Sequence, residues 1–309
     1  VVLGFTDAVG VMLAGARENA VSILTQWALM QGGKPHARVV SCQDALPTAQ
    51  AALINATAAH ALDYDDFAFS NHPSAVLVPT ILAVADAHPA SGATMARAYA
   101  VGYEVWADLF LREKDLYYDK GWHPTAILGT VGAAAAAAVV QGLSATQTRH
   151  ALALAASSAG GIFENFGTMA KPLHGGRASS LGVMAAEMAA SGIRASEQAI
   201  EGSLCMLQAF SPAGHVDVSS AFHSKEPWWI HRYRLNLKRF PVVGSAQRGI
   251  EAMLGWRKEN PQVRSASIDK IHIVISQRHA AVMPYALPQD ALQAKFSCWI
   301  SRQRCRCTK

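Results

Sequence analysis

Apolar residues recur at spacings of three and four along the first two thirds of the chain. Ile81, Leu82 and Ala85 form one such run, and Tyr99, Val101, Tyr103, Val105, Trp106 and Leu109 form another, so these segments predict helices that pack on several sides. Helix signals punctuate the pattern: Pro47-Thr48 opens one helix, Gly142 closes another, and Ser144 with Gln147 makes a Ser-x-x-Gln capping box. About eight helices are expected before residue 211. Residues 133–138 are all alanine, which favours helix and lets neighbouring axes approach closely, so this run predicts a central buried helix.

Pro212, Gly214 and Pro227 then interrupt the helical spacing. Beyond them, residues 268–275 (Ile-Asp-Lys-Ile-His-Ile-Val-Ile) read as a strand and 234–238 as a weaker one. Between the two, Ile250, Leu254 and Arg257 lie at helical spacing within 246–258. The expected architecture is mainly α: a large all-helical domain over 1–221, a smaller and incomplete α+β domain over 222–297, and an atypical Cys/Arg-rich tail over 298–309.

Composition narrows the classes. Of 309 residues 51% are hydrophobic and 16% charged, below the roughly 25% charge of ordinary domains, so composition argues against disorder and multi-sided burial is expected. The unbroken apolar run at 133–140 falls short of the roughly 20 residues of a membrane span, and the first residues show no signal-peptide pattern, so a cytoplasmic protein is expected. The net charge is +5, but Arg302, Arg304, Arg306 and Lys309 supply four of those charges, and a nearly neutral body argues against nucleic acid. Cys298, Cys305 and Cys307 lie in the tail, while Cys42 and Cys205 are isolated, which is no disulfide framework.

Three polar segments could carry chemistry. The densest is His60, Asp63, Asp65, Asp66 and His72, followed by Pro73 and a helix; the imidazoles could move protons beside an anion held at that helix's N-terminus. The same residues could bind Zn or Mg, or the carboxylates could merely cap helix ends. The second segment is Gly121-Trp122-His123-Pro124-Thr125, again a His before a Pro that opens a helix. The third runs from Asn165 through Gly167-Thr168-Met169-Ala170-Lys171-Pro172-Leu173-His174 to Arg177, where carboxylate binding fits better than a P-loop; a solvated Lys171 is the plain alternative. There is no Gly-x-Ser-x-Gly, Gly-x-Gly-x-x-Gly or Cys-x-x-Cys motif.

These segments, in this order and together with Asp7-Ala8-Val9-Gly10-Val11-Met12-Leu13-Ala14-Gly15, resemble the MmgE/PrpD family, which includes 2-methylcitrate dehydratase, cis-aconitate decarboxylase and iminodisuccinate epimerase. The resemblance runs to about Ser297, and the Gly-Thr-Met-Ala-Lys-Pro-Leu-His form is closer to the epimerase and decarboxylase branches. It implies a helical domain, a smaller α+β domain closing over a cleft, a homodimer, and neither cofactor, metal nor iron–sulfur cluster. Asp63, His72, His123 and Lys171 would line the site, with Tyr285 reaching in from the small domain. Lys171, His174 and Gln247 would contact the substrate, a small di- or tricarboxylate.

The reaction implied is removal of a proton next to a carboxylate, followed by dehydration, epimerisation or decarboxylation. Three departures stand against it. Many members carry Thr-His where this chain has Ala246-Gln247, and the family has further residues before this start and after Ser297, where the tail reads as a frameshift product. The alternative expectation is therefore a catalytically inactive remnant that at most dimerises or binds carboxylates. A zinc-dependent hydrolase on His60, Asp63 and His72 comes third.

Overall fold

A computed structural model describes residues 1–223, 226–271 and 273–297. Helices dominate, as the spacing predicts. In chain order they are α1 (Val2–Gly15), α2 (Asn19–Gln31), α3 (Thr48–Ala61), α4 (Pro73–Ala87), α5 (Gly92–Leu111), α6 (Pro124–Gln141), α7 (Ala145–Ser158) and α8 (Ala170–Ala190). Shorter helices follow: α9 (Met206–Phe210), α10 (Trp229–Tyr233), α12 (Gln277–Ala281) and α13 (Ala291–Ala294), with the longer α11 (Gly244–Glu259) among them. The two strands, β1 (Ala37–Arg38) and β2 (Ala45–Leu46), pair antiparallel with Ala37 opposite Leu46.

The alanine run lies where its small side chains are needed. α6 is long and apolar enough to cross a membrane, but it is almost wholly buried against α4, α5, α7 and α8. α8 in turn packs against α3, α6 and α7, and two glycines make that possible. A Cβ at Gly182 would lie 2.7 Å from Ala134 N of α6, and one at Gly176 would lie 2.5 Å from Leu53 O of α3. Large side chains fill the flank instead: Tyr99, Tyr103 and Trp106 of α5 are fully buried. Each meets a partner for its polar atom, Tyr99 Oη lying 2.7 Å from Ser74 Oγ, Tyr103 donating to Arg234 O at 2.8 Å and Trp106 Nε1 to Asn71 Oδ1 at 3.1 Å. The Ser144–Gln147 capping box at the start of α7 is formed on both sides.

The strands expected in the second part are not formed among the described residues. Residues 268–271 and 273–275 join no ladder, and Val274 is 82% exposed. Alternation predicts a two-faced strand, but strand hydrogen bonds need a neighbouring edge, and among the described residues none pairs with this segment. Around 234–238 only Asn236 pairs, in a single antiparallel bridge with Phe67. α11 does cover the expected helix. His272 and the tail cysteines Cys298, Cys305 and Cys307 lie outside the described residues.

The backbone atoms facing Gly182 cannot step aside without moving α6. Gly182→Ala is therefore expected to destabilise the chain by about 1–3 kcal/mol through overpacking, against the ~1 kcal/mol of helix propensity that alanine adds. Urea unfolding of the two proteins measures the balance, and a more stable alanine variant would contradict this packing.

Candidate active site

The site forms where α3 ends and three other helices begin. His72 is the residue before Pro73 at the start of α4, His123 the residue before Pro124 at the start of α6, and Lys171 lies in the first turn of α8. Proline suits the first helical position because its missing N–H would be unpaired there anyway. The loop between α3 and α4 turns sharply, with Asp63, Phe69 and Ser70 at positive φ. For Asp63 (φ 50°) that is a strained conformation held in place by its surroundings.

Two carboxylates organise everything else. Asp63 Oδ1 accepts from Lys171 Nζ at 2.6 Å and lies 3.1 Å from Lys238 Nζ, which also donates to Asp63 O at 2.7 Å. Asp65 Oδ2 lies 3.0 Å from His60 Nδ1 and 2.8 Å from His72 Nδ1. Burial works to raise Asp63, but the ammonium groups of Lys171 and Lys238 outweigh it and hold the carboxyl well below its usual range. Asp65 is likewise held low against its burial by His60 and His72. Asp66 has no such cation, and burial pushes it up to about 8.

The imidazoles go the other way. Burial pushes His60 down to about 3 and His174 down to about 4, and it lowers His72 and drives His123 well below the usual range, with Lys171 adding to each. All four rings are therefore neutral near pH 7. Burial also lowers Lys171, with Asp63 opposing. Its Nζ lies 5.7 Å from the ring centre of Phe166 and 5.3 Å from that of Phe296, so aromatic faces shield the ion pair.

Beside this cluster opens a cavity of about 1010 Å³, lined by Asp63, His72, Lys171, Phe166 and Phe296 and, on its outer side, by Arg248 and Arg278. Of the expected site residues, Asp63, His72 and Lys171 thus share one wall. His123 is fully buried and outside that lining; its ring stacks 5.9 Å from His60 and meets Phe166 edge-on at 4.8 Å. His174 stands next to it, Nδ1 to Nδ1 at 3.2 Å. Tyr285 also lies off the lining and donates its hydroxyl to Phe166 O at 2.5 Å.

Gln247, expected at the substrate, is turned to the backbone. Its Oε1 accepts from Arg239 N and Phe240 N, both at 3.1 Å, and its Nε2 donates to Phe240 O at 2.8 Å and Val242 O at 3.1 Å. A neutral amide can satisfy four backbone partners at once, which is why it staples this turn. Two contributors escape sequence reasoning. Lys238 shows no spacing that ties it to Asp63, and Phe166 reads as an ordinary loop aromatic.

His60, Asp63, Asp65 and His72 offer donor atoms within 4.8 Å of one another, close enough for a metal ion. One oxygen of each carboxylate is engaged, Asp63 Oδ1 by two ammonium groups and Asp65 Oδ2 by two imidazole nitrogens, while His60 Nε2, Asp63 Oδ2 and Asp65 Oδ1 are buried without a partner. A dication there would face Lys171 and Lys238, so we assign no metal to this set.

The profile of the MmgE/PrpD N-terminal domain matches residues 1–219. The chain belongs to the MmgE/PrpD family. It is 33% identical over 262 residues to human cis-aconitate decarboxylase, an alignment covering 82% of this chain and 53% of that protein. The mouse cis-aconitate decarboxylase is 35% identical over 204 residues, covering 63% of this chain and 41% of its own length. The chain thus spans about half the length of the curated relatives it matches. The MmgE/PrpD match includes α1–α9 and with them His60, Asp63, Asp65, His72, His123 and Lys171, whereas Lys238 lies beyond it.

Buried neutral imidazoles make stability depend on pH. A His whose folded value is depressed contributes stability above its unfolded value of about 6.5, and that contribution is lost as pH falls towards the folded value. Below about pH 6.5 the depressed rings of His60, His72, His123 and His174 take up protons on unfolding, while Asp66, raised by burial, gives one up. Near pH 7 the two nearly offset, and below about pH 6.5 uptake by the rings prevails, so unfolding free energy should fall with growing slope towards pH 5. Urea titrations across that range test this; a flat profile would show the rings are not held neutral.

Proposed function

We propose that this chain is a carboxylate-acting lyase whose His72 moves a proton at the carbon next to a carboxylate of a small di- or tricarboxylic acid. One observation carries the reading: His72 stands on the cavity wall with Nδ1 committed to Asp65, so its neutral ring keeps Nε2 as the group that can meet a substrate. Lys171, on the same wall, supplies positive charge for a substrate carboxylate and for the enolate-like charge that builds up beside it.

His72 Nε2 takes the proton, and the electron pair left on carbon is shared into the carboxylate facing Lys171. Expulsion of a β-hydroxyl then gives dehydration, and return of a proton to the other face gives epimerisation. In decarboxylation no proton is removed first: His72 takes a proton from solvent, the bond to the departing carboxylate breaks to release carbon dioxide, and its electron pair on the carbon chain accepts that proton from His72. The relatives named cis-aconitate decarboxylase favour this third course for an unsaturated tricarboxylate. None of these steps calls for an oxidant or reductant. His123, stacked against His60 behind the wall, supports the ring array from within. A carboxylate binder without activity is the second reading, favoured by Gln247, whose amide is fully used by backbone.

The test is a panel of di- and tricarboxylates, cis-aconitate included, followed by NMR in D2O for turnover and for deuterium entering the carbon skeleton. His72→Gln should lower kcat by about 10²–10⁴-fold, the usual contribution of a general base. Lys171→Met should raise KM as well. Wild-type protein that binds these acids but neither exchanges nor converts any of them would favour the second reading.

A further inference from the structure

His60 is the ring that the proton transfer above leaves unused. It is fully buried at the end of α3, and Gly175 of α8 leaves room for it, since a Cβ there would lie 3.3 Å from His60 Cδ2. Its Nδ1 is 3.0 Å from the same Asp65 oxygen that lies 2.8 Å from His72 Nδ1, and the two ring centres are 4.6 Å apart. His60 Nε2 and Asp65 Oδ1 are buried with no hydrogen-bond partner. An ionised carboxylate can only accept hydrogen bonds, so one oxygen meeting two ring nitrogens requires both nitrogens to carry protons. Each neutral ring then has its lone pair on Nε2.

We propose that His60 is a positioning residue for His72, acting through the Asp65 oxygen they share. Its N–H holds the carboxylate in one orientation and divides the negative charge of Asp65 between two imidazoles. A carboxylate serving His72 alone would bind that ring more firmly in its protonated form. Sharing it keeps His72 able to hand back the proton it takes, as every outcome with a returning proton requires. The other groups around His72 are Asp63 and the Asp66 carbonyl from its own loop, Lys171 from α8, Lys238 from the segment after α10, and the neutral ring of His123 from α6. Both lysines are paired with Asp63, and among the described residues Asp65 is the carboxylate bonded to the His72 ring.

This inference rests on His72 as the proton carrier, but its test needs no turnover. Nitrogen-15 spectra of histidine-labelled wild-type protein at pH 7 should show His60 and His72 both protonated at Nδ1. In His60→Leu, which removes the donor, the titration midpoint of His72 should rise by about half a unit or more. In His60→Asn, whose amide can donate from the place of Nδ1, the midpoint should return towards wild type. A proton on Nε2 of His60 in the wild-type spectrum, or one midpoint common to all three proteins, would overturn the proposal. The wild-type spectrum decides the matter even if His60→Leu does not fold. If His72→Gln remains active while the spectra behave as described, the functional reading fails and the role of His60 stands. Loss of activity in His72→Gln with an unchanged His72 midpoint in His60→Leu has the opposite meaning.

Discussion

Asp63 and Asp65 lie two residues apart in surroundings that exclude water, and an ionised carboxylate left unpaired in such a place costs several kcal/mol. The fold meets that cost with groups drawn from four separate stretches of chain. Lys171 comes from α8 and Lys238 from the segment after α10, while His60 closes α3 and His72 precedes α4. Removing one partner from such a buried pair typically costs 3–5 kcal/mol, so the same contacts that build the site also hold the loop between α3 and α4 in its strained path. The site is a structural clamp as much as a chemical one.

That clamp needs helices brought very close together. α8 must bring Lys171 to Asp63 while passing α3 and α6, and it does so on Gly176 and Gly182, where any side chain would strike the neighbouring backbone. The alanines of α6 serve the same end from the other side. With α4, α6 and α8 seated this way, His72, His123 and Lys171 at their first turns fall into one neighbourhood, and two of the three reach the cavity.

The electrostatics follow from burial. Two ammonium groups neutralise one carboxylate, and the second carboxylate orients two neutral imidazoles. A ring kept neutral by desolvation is ready to take a proton at ordinary pH, while a nearby ammonium welcomes the anion that forms. The chain belongs to the MmgE/PrpD family, and the arrangement around Asp65 is the physical basis of the proton step proposed above.

Much of this was legible in the residues themselves. Apolar spacing and helix caps located the helices, because an amphipathic or fully buried helix must repeat its apolar positions every three or four residues wherever it ends up. The two His-Pro steps and the Lys171 segment stood out because each sets a titratable side chain beside a helix start, where an anion is favoured. What the chain order could not contain is which of these groups meet. Lys238 lies 175 residues from Asp63, and nothing in its local sequence marks it as the second ammonium on that carboxylate. His123 and Tyr285 fell outside the cavity wall, and Gln247 turned to the backbone, because the direction of a side chain is set by packing across elements. Residues 268–271 and 273–275 form no strand for the same reason: alternation is a property of one stretch, whereas a ladder requires a second stretch beside it. Local structure was thus written in short-range pattern, and the pairing of distant groups was decided only when the helices packed.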